Sequence, residues 1–378
     1  MADRESEVVA KLASGVSGLN QAAWDRIVGN DPFLSHAFLA ALEISGSVGK
    51  GTGWTPATLL VEDSESHLIS AAPAYLKTHS QGEYVFDHAW ADAFERAGGS
   101  YFPKLQVCVP FTPVPGPRLL GKQPQHLLAA VEAVAVQNEI SSAHITFIDD
   151  AGAAECERRG WLIREGVQYH WFNRGYADFD AFLGALTSRK RKAIRKEREA
   201  ASQGVEIRAL RGAEIGPAEW DAMWRFYQDT GSRKWGHPYL TRRFFDLIAE
   251  RMGDALLLFL ALRDDEPIAG ALNLVGSDTL YGRYWGTTEE APFLHFELCY
   301  YQAIEWAIAN GLDSVQAGAQ GEHKLARGYE PVITRSAHFI VDPGFRHAIE
   351  RFLEEERRAV AAEVEWLKRA LPYKSSSA

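Results

Sequence analysis

One short segment of the sequence, Gly318–Tyr329, gathers a carboxylate, an imidazole and two cations beside two glycines. It follows a short apolar strand candidate, Ser314–Gln316, and α/β folds open their clefts at the carboxyl ends of strands. If Glu322–Arg327 forms one helical turn, His323 and Arg327 share a face. Such a set can bind an anion and move a proton. A glycine-rich turn with a locally salt-bridged helix is the alternative interpretation.

A second group of residues could act together with the first. In an extended strand, Tyr281, Arg283 and Trp285 would face one way, and a buried arginine would need a carboxylate partner, for which Glu297 is the candidate. His295 and Glu297 begin a predicted helix, where free amides and the macrodipole favour anions. For His295 the alternative is a capping or packing role.

The most basic stretch of the chain is Arg189–Arg198, with seven cations in ten residues. It lies within a segment of helical spacing, 178–203, which Gly204 can end. A solvated helical face is one interpretation of these cations. The other is a clamp for the phosphates of a nucleotide, coenzyme or RNA, for which the candidate side chains are Arg189, Lys192, Arg195 and Lys196.

Composition narrows the classes of protein. The net charge of −10 disfavours a nucleic-acid binder that works through overall charge. Three widely spaced cysteines indicate neither a disulfide framework nor a zinc site, so no metal is expected. The sequence contains no GxGxxG, GxxxxGK[ST], GxSxG or HExxH. It shows no apolar run that could span a membrane and no signal-peptide pattern, so a cytoplasmic protein is expected.

The order of predicted elements repeats along the chain. A hairpin, a strand, a helix and a strand are predicted over 57–148, and the same order is predicted over 255–316. A long amphipathic helix is predicted over 345–371. This alternation indicates an α/β (α+β) protein with two mixed halves and argues against a uniform doubly wound sheet.

At this point the sequence resembles a known family, the FemAB-like peptidoglycan biosynthesis/recognition proteins of the GNAT acyltransferase superfamily. The matching segments span about residues 30 to 355, and they are Tyr84–Asp87, Trp90–Asp92, Tyr101–Lys104, Pro110–Pro113, Gly116–Leu120, Tyr281–Gly286, Leu294–Tyr301, Gly318–Lys324 and Arg327–Tyr329.

The resemblance implies tandem GNAT-like halves, each a mixed twisted sheet flanked by helices. The expected boundaries are 1–175 for the first half, 176–210 for a basic connecting helix and 211–378 for the second half, which would carry the active site. In such folds a splayed strand pair admits an acyl thioester, and an amine attacks the acyl carbon. The full helical arm of Fem-type proteins is missing here, which disfavours tRNA. The GNAT pyrophosphate signature is also missing between Trp285 and Phe296.

The function expected from this resemblance is an N-acyltransferase. Acyl-CoA or another acyl thioester would be the co-substrate, and the acceptor would be a cell-wall precursor, an amino acid or a lipid amine. A non-catalytic peptidoglycan-fragment recognition protein and an aminoacyl-tRNA-dependent Fem-type transferase are the alternatives. Peripheral contact with a membrane stays open.

The expected roles of the site residues follow from what amine acylation requires, which is a base and stabilisation of an oxyanion. His295 or His323 would be the base, and Glu297 or Glu322 would orient it. The expected substrate-binding residues are Arg283, Trp285, Gln320, Lys324, Arg327 and Tyr329.

Overall fold

The computed structural model describes residues 8–235, 238–318 and 321–374, with the backbone alone for 231–235. The strands are β1 (Val9–Ala13), β2 (Trp54–Pro56), β3 (Thr58–Glu62), β4 (Leu68–Ala72), β5 (Ala74–Lys77), β6 (Lys104–Val107), β7 (Leu120–Gly121), β8 (Ser142–Ile148), β9 (Leu162–Phe172), β10 (Glu206–Arg211), β11 (Leu256–Arg263), β12 (Glu266–Val275), β13 (Thr279–Thr287), β14 (Ser314–Gln316) and β15 (Glu330–Ile340).

The helices alternate with these strands. They are α1 (Gln21–Val28), α2 (His36–Ile44), α3 (His88–Arg96), α4 (Pro124–Gln137), α5 (Asp150–Arg158), α6 (Phe179–Ala185), α7 (Ser188–Ala201), α8 (Pro217–Trp235), α9 (Arg242–Met252), α10 (Leu294–Phe296), α11 (Gln302–Ala309) and α12 (Pro343–Arg369). A π-helical turn, Glu297–Tyr301, joins α10 to α11, and Glu322–Arg327 forms the expected helical turn with 3-10 geometry.

The chain forms two compact units whose boundaries differ from those expected at residues 175 and 210. The first unit comprises the described residues up to Gly166 together with 333–362, and the second comprises 167–332 and the described residues from Glu363. The chain returns to the first unit because the end of β15 pairs with β8. The stretch 176–210 belongs to the second unit, where Phe182 and Ile194 are part of the hydrophobic core.

The first unit contains two sheets, with strand orders β1-β3-β4-β7 and β15-β8-β6-β5-β2. In the second sheet β6 and β8 are parallel and the other neighbours are antiparallel. The predicted hairpin over 57–76 is confirmed for β3 and β4. Pro73, which has no amide hydrogen to donate, ends this pairing, and the chain continues into the other sheet as β5.

The second unit has one mixed sheet of order β10-β11-β12-β13-β14-β9. The predicted hairpin of β11 and β12 is confirmed, and so is the strand–helix–strand order of β13, α10–α11 and β14. The single helix predicted over 178–203 is wrong at Leu186, whose backbone is extended and bridges Tyr373, so that α6 and α7 are separate helices.

A bulge in β13 changes which of its side chains share a face. The register with β12 shifts at Arg283, an extra residue that no residue of β12 stands opposite. Because an extra residue reverses the alternation beyond it, Trp285 lies on the opposite face of the strand from Tyr281. The prediction that Tyr281, Arg283 and Trp285 face one way is therefore wrong. Trp285 instead lies on the face of β13 that carries Leu280, against the second unit's core.

Gly286 marks the closest approach of a helix to β13, and its replacement tests this packing. A Cβ at this position would lie 2.0 Å from the carbonyl oxygen of Phe226 in α8, which cannot move without shifting the helix. We expect Gly286→Ala to lower the free energy of unfolding by about 3 kcal/mol, as overpacking does, in urea denaturation.

The matched control is Gly184→Ala in α6, where nothing lies within 4 Å of the new Cβ. It should change the unfolding free energy by less than about 1 kcal/mol, toward greater stability, since alanine favours helix. Equal stability of the Gly286→Ala variant and the wild type would contradict the close approach.

Candidate active site

The site in the second unit lies where two parallel strands stop pairing. β13 pairs with β14 only between 279–281 and 314–316, although β13 continues to Thr287. The backbone groups of 283–287 that point away from β12 are therefore not paired by β14. A strand that extends beyond its parallel neighbour can hydrogen-bond an extended ligand along that side. In the chain, β13 leads into α10, and β14 leads into the segment that carries the turn 322–327.

Two histidines, distant in sequence, meet at this point. The ring centroids of His295 and His323 lie 6.4 Å apart. His295 packs 5.1 Å from Trp285, and His323 packs 5.5 Å from Phe296. Tyr300 contacts both imidazoles, and its hydroxyl oxygen lies 2.9 Å from Nε2 of His323. The structure thus links a histidine, a tyrosine and a second histidine in one aromatic cluster.

The surroundings of His323 favour its neutral form. Desolvation, followed by the charges of Arg327 and Lys324, lowers the pKa of His323 below its ordinary value. A neutral imidazole at neutral pH can accept a proton, which is what a general base must do. His323 is exposed, whereas His295 is half-buried among aromatic rings. Of the two, His323 is therefore the more accessible to a substrate.

Lys324 is buried beside His323 and holds the end of β14 in place. Its Nζ donates a hydrogen bond to the carbonyl oxygen of Gly318 at 2.7 Å. Burial lowers the pKa of Lys324 to about 8, so the ammonium form predominates at neutral pH and is lost just above it. A buried ammonium at a strand end can stabilise an anionic group.

Tyr329 is buried just after the turn Glu322–Arg327, which carries Lys324. Its ring packs edge-to-face on Tyr300 at 5.6 Å. The side chain is buried, and its hydroxyl has no hydrogen-bond partner among the residues that the structure describes. Buried hydroxyls usually form a hydrogen bond, so this hydroxyl is available to bond a substrate or water.

Arg327 holds the turn in shape. Its guanidinium donates to the carbonyl oxygen of His323 at 2.7 Å and pairs with Glu197 at 2.8 Å, and it lies 3.5 Å over the ring of Phe296. These contacts use the two terminal nitrogens of the guanidinium, whereas its buried Nε has no hydrogen-bond partner among the residues that the structure describes. In this structure Arg327 fixes the position of the backbone next to His323.

Glu297 has a different partner from the one expected. Its carboxylate is buried and accepts three hydrogen bonds from Arg198 and one from Gln302. The expectations that Glu297 pairs with Arg283 and orients a histidine are therefore corrected, because α7 supplies the arginine. Glu322 is exposed on the turn.

The remaining candidates are distributed as follows. Arg283 is half-buried at the bulge of β13, where its guanidinium lies 5.4 Å from the ring of Tyr284. Gln320 lies outside the described residues. The four candidate phosphate-binding side chains are all exposed on α7, and they are Arg189, Lys192, Arg195 and Lys196. Arg195 pairs with Asp180 at 2.9 Å.

Three residues of this site were missed in the sequence analysis: Tyr300, Glu197 and Arg198. Tyr300 lies four residues after Phe296, the helical spacing that brings side chains together, but a tyrosine at such a position usually belongs to the core. The π-helical turn 297–301, a form of helix often found at functional sites, leaves no signal in the spacing. The role of Glu197 and Arg198 was hidden within the basic run.

The described part of the chain offers neither a membrane-spanning helix nor a cluster of metal-ligating side chains. None of its helices combines the length and hydropathy required to cross a bilayer. Within the same residues, no three His, Cys, Asp or Glu side chains are grouped as metal ligands would be.

Solved structures resemble the fold at low sequence identity. FemX is 12% identical, with 91% of this chain and 100% of that chain covered and a TM-score of 0.54. A conserved protein of unknown function from Bacteroides thetaiotaomicron is 10% identical. The match covers 88% of this chain and 100% of that chain, with a TM-score of 0.53. L-PGS from Bacillus licheniformis is 10% identical. The match covers 89% of this chain and 96% of that chain, with a TM-score of 0.50.

These likenesses bear on the fold alone, and the mixed α+β class expected from the sequence is confirmed. No curated protein sequence matches the chain. The FemAB-like family model, described as peptidoglycan biosynthesis/recognition, matches residues 15–375. With nearly its whole length matched, the chain belongs to the FemAB-like family.

Proposed function

We propose that the protein is an N-acyltransferase that moves an acyl group from a thioester to an amine. The observation that supports it best is the His323–Tyr300 pair, which His295 connects to Trp285 on the part of β13 that extends beyond β14. An extended thioester arm laid along that edge would bring its acyl carbon to the two side chains. The family's link to peptidoglycan makes a cell-wall amine the first acceptor to test.

In the proposed reaction His323 acts as the base. The acceptor ammonium gives a proton to His323, directly or through the hydroxyl of Tyr300, which can pass its own proton to Nε2 as it receives one. The neutral amine then attacks the acyl carbon, and a C–N bond forms. When the tetrahedral intermediate collapses, the C–S bond breaks, and the departing thiolate takes up the proton that the attacking nitrogen loses. His323 then releases the first proton to solvent.

Two further side chains would assist this step. The ammonium of Lys324 would stabilise negative charge on the acyl oxygen or on the departing sulfur, in a site where burial strengthens such interactions. The half-buried rings of Trp285 and His295 would shield the intermediate from water. In this proposal His295 packs against the substrate and does not move a proton.

The source of the acyl group is the finer part of the proposal. We assign the donor to acyl-CoA or another phosphopantetheine thioester, because α7 carries Arg189, Lys192 and Lys196 exposed on its outward face while Glu197 and Arg198 of the same helix contact the site. The same exposed cations also favour a second candidate, an aminoacyl-tRNA donor, whose backbone phosphates they could bind.

Replacing His323 tests the base. We expect His323→Gln to lower kcat about 10²- to 10⁴-fold, the usual contribution of general base catalysis, with a small change in the KM of the donor. His295→Gln is the matched control, since it removes an imidazole from the same cluster, and it should change kcat by less than about tenfold. Wild-type kcat in the His323→Gln variant would contradict the assignment.

The pH profile tests the base and the lysine together. The rate should rise with pH through the lowered pKa of His323, because only the neutral imidazole accepts a proton. It should fall as pH passes about 8, because Lys324 then loses its charge. The rising limb should disappear in His323→Gln. A flat profile for the wild-type enzyme between pH 5 and pH 9, roughly the range in which such groups titrate, would contradict both roles.

A charge reversal on α7 tests the donor. The double variant Lys192→Glu and Lys196→Glu should raise the KM of acyl-CoA about tenfold at low salt and leave the KM of the phosphate-free acyl-pantetheine unchanged. Arg243→Glu, an equally exposed cation on α9, is the control and should change neither KM. Unchanged KM values for both donors would overturn the phosphate contact, and turnover with aminoacyl-tRNA alone would select the second candidate.

A further inference from the structure

One face of the larger sheet in the first unit is polar and yet buried. Neighbouring strands contribute Tyr75 and Lys77 from β5, Lys104 and Gln106 from β6, Ser142, His144 and Thr146 from β8, and Ser336 and His338 from β15. The alternate residues of the same strands, among them Leu105, Val107, Ala143 and Ile145, lie in the hydrophobic core. A sheet inside a domain normally has apolar residues on both faces, so the polar face calls for a ligand or a function.

Two lysines face each other at the centre of this surface. Lys77 and Lys104 are direct cross-strand partners in the antiparallel pair β5–β6, and both are fully buried. Like charges directly opposite each other destabilise a sheet, and buried charges require partners. Nothing in the fold of the sheet itself supplies an anion here, because the neighbouring strands contribute histidine, serine, glutamine and tyrosine.

The partners come from one irregular loop, 78–87, which connects β5 to α3 without helix or strand. Nζ of Lys104 donates to Glu83 at 2.7 Å and also contacts Asp87. The second oxygen of Glu83 lies 3.7 Å from Lys77. A single loop segment thus delivers two carboxylates to two lysines that are held by the sheet.

These carboxylates are only half satisfied. Oε1 of Glu83 and Oδ1 of Asp87 are buried and accept no hydrogen bond from the residues that the structure describes, and the same holds for Oε1 of Gln106 and the hydroxyl of Tyr75. Burial raises the pKa of Glu83 to about 7 and lowers the pKa of Lys77 to about 7. At Glu83 and Lys77 the desolvation is therefore not fully offset, which favours exchange for a better partner. At Asp87 the desolvation is offset, chiefly by the charge of Lys104, and the pKa of Asp87 is lowered.

We propose that Lys77 and Lys104 form a binding site for a small dicarboxylate in the first unit, and that loop 78–87 closes this site with Glu83 and Asp87 in place of the ligand. When the loop moves away, the sheet presents two ammonium groups, the hydroxyl of Tyr75 and the amide of Gln106 on one rigid surface. A dicarboxylate fits because two carboxylates already occupy the position, both at Lys104 and one within reach of Lys77.

The two histidines near the lysines add no charge to the proposed site. Desolvation and the nearby Lys104 lower the pKa of His144 to about 3, and burial lowers the pKa of His338 as well, so both imidazoles stay neutral. Their Nδ1 atoms share a hydrogen bond of 2.7 Å. The hydroxyl of Tyr101 donates to Asp87 at 2.7 Å and would be free to donate to a ligand carboxylate once the loop moves. The proposal stands independently of the function proposed for the second unit.

The test is calorimetric titration of the full-length protein with glutarate, with the uncharged glutaramide as the matched probe. We expect glutarate to bind and glutaramide not to bind. Glu83→Gln removes the competing charge while keeping the side chain's shape, so it should bind glutarate about tenfold more tightly than the wild type, as removal of a charged competitor predicts. Glu95→Gln, an exposed carboxylate on α3, should bind like the wild type.

Hydrogen exchange of the wild-type protein provides a second measurement, which does not depend on whether a variant folds. Saturating glutarate should speed the exchange of amides in 78–87, because the ligand displaces the loop, and leave β5 and β6 protected. Absence of glutarate binding in both the wild type and Glu83→Gln would overturn the proposal. Equal affinity in these two proteins, or binding without faster exchange in the loop, would overturn it as well.

Discussion

The active-site geometry depends on one constraint, the three-residue pairing of the parallel strands β13 and β14. The pairing ends at Tyr281 and Gln316, while β13 continues to Thr287 and stays paired with β12 on its other side except at the bulge. The pairing with β12 and the bulge at Arg283, which bends the strand, set the course of this edge. His295 packs on Trp285 of this edge, and Tyr300 contacts both His295 and His323.

The helix α7 makes this open geometry stable. Its Arg198 neutralises the buried Glu297 of the π-helical turn, and its Glu197 pairs with Arg327 of the turn that carries His323. A buried carboxylate without a partner would cost several kcal/mol, about 3 to 5 by comparison with broken buried pairs. One helix therefore holds both segments that bear histidines, and its outward face is left to carry cations.

Local pattern predicted the elements well, and it failed where contacts distant in sequence decide the outcome. The hairpins, β13, β14 and α12 follow from apolar periodicity and turn residues. The reversal of faces beyond Arg283 does not, because a bulge is set by pairing with β12. The partner of Glu297 was missed because Arg198 stood in a run that reads as a solvated face. The buried lysines at 77 and 104 were missed because a charged residue in a short strand gives no sign of being enclosed.

The most direct test of the account is hydrogen exchange in the second unit with a non-hydrolysable acyl-pantetheine, in which a methylene replaces the thioester sulfur. The account predicts slower exchange for the backbone amides of 283–287, because the ligand's amides would pair with the part of β13 that extends beyond β14. Ligand binding with no protection of these amides, or with protection confined to other segments, would contradict the central claim that this edge holds the acyl donor.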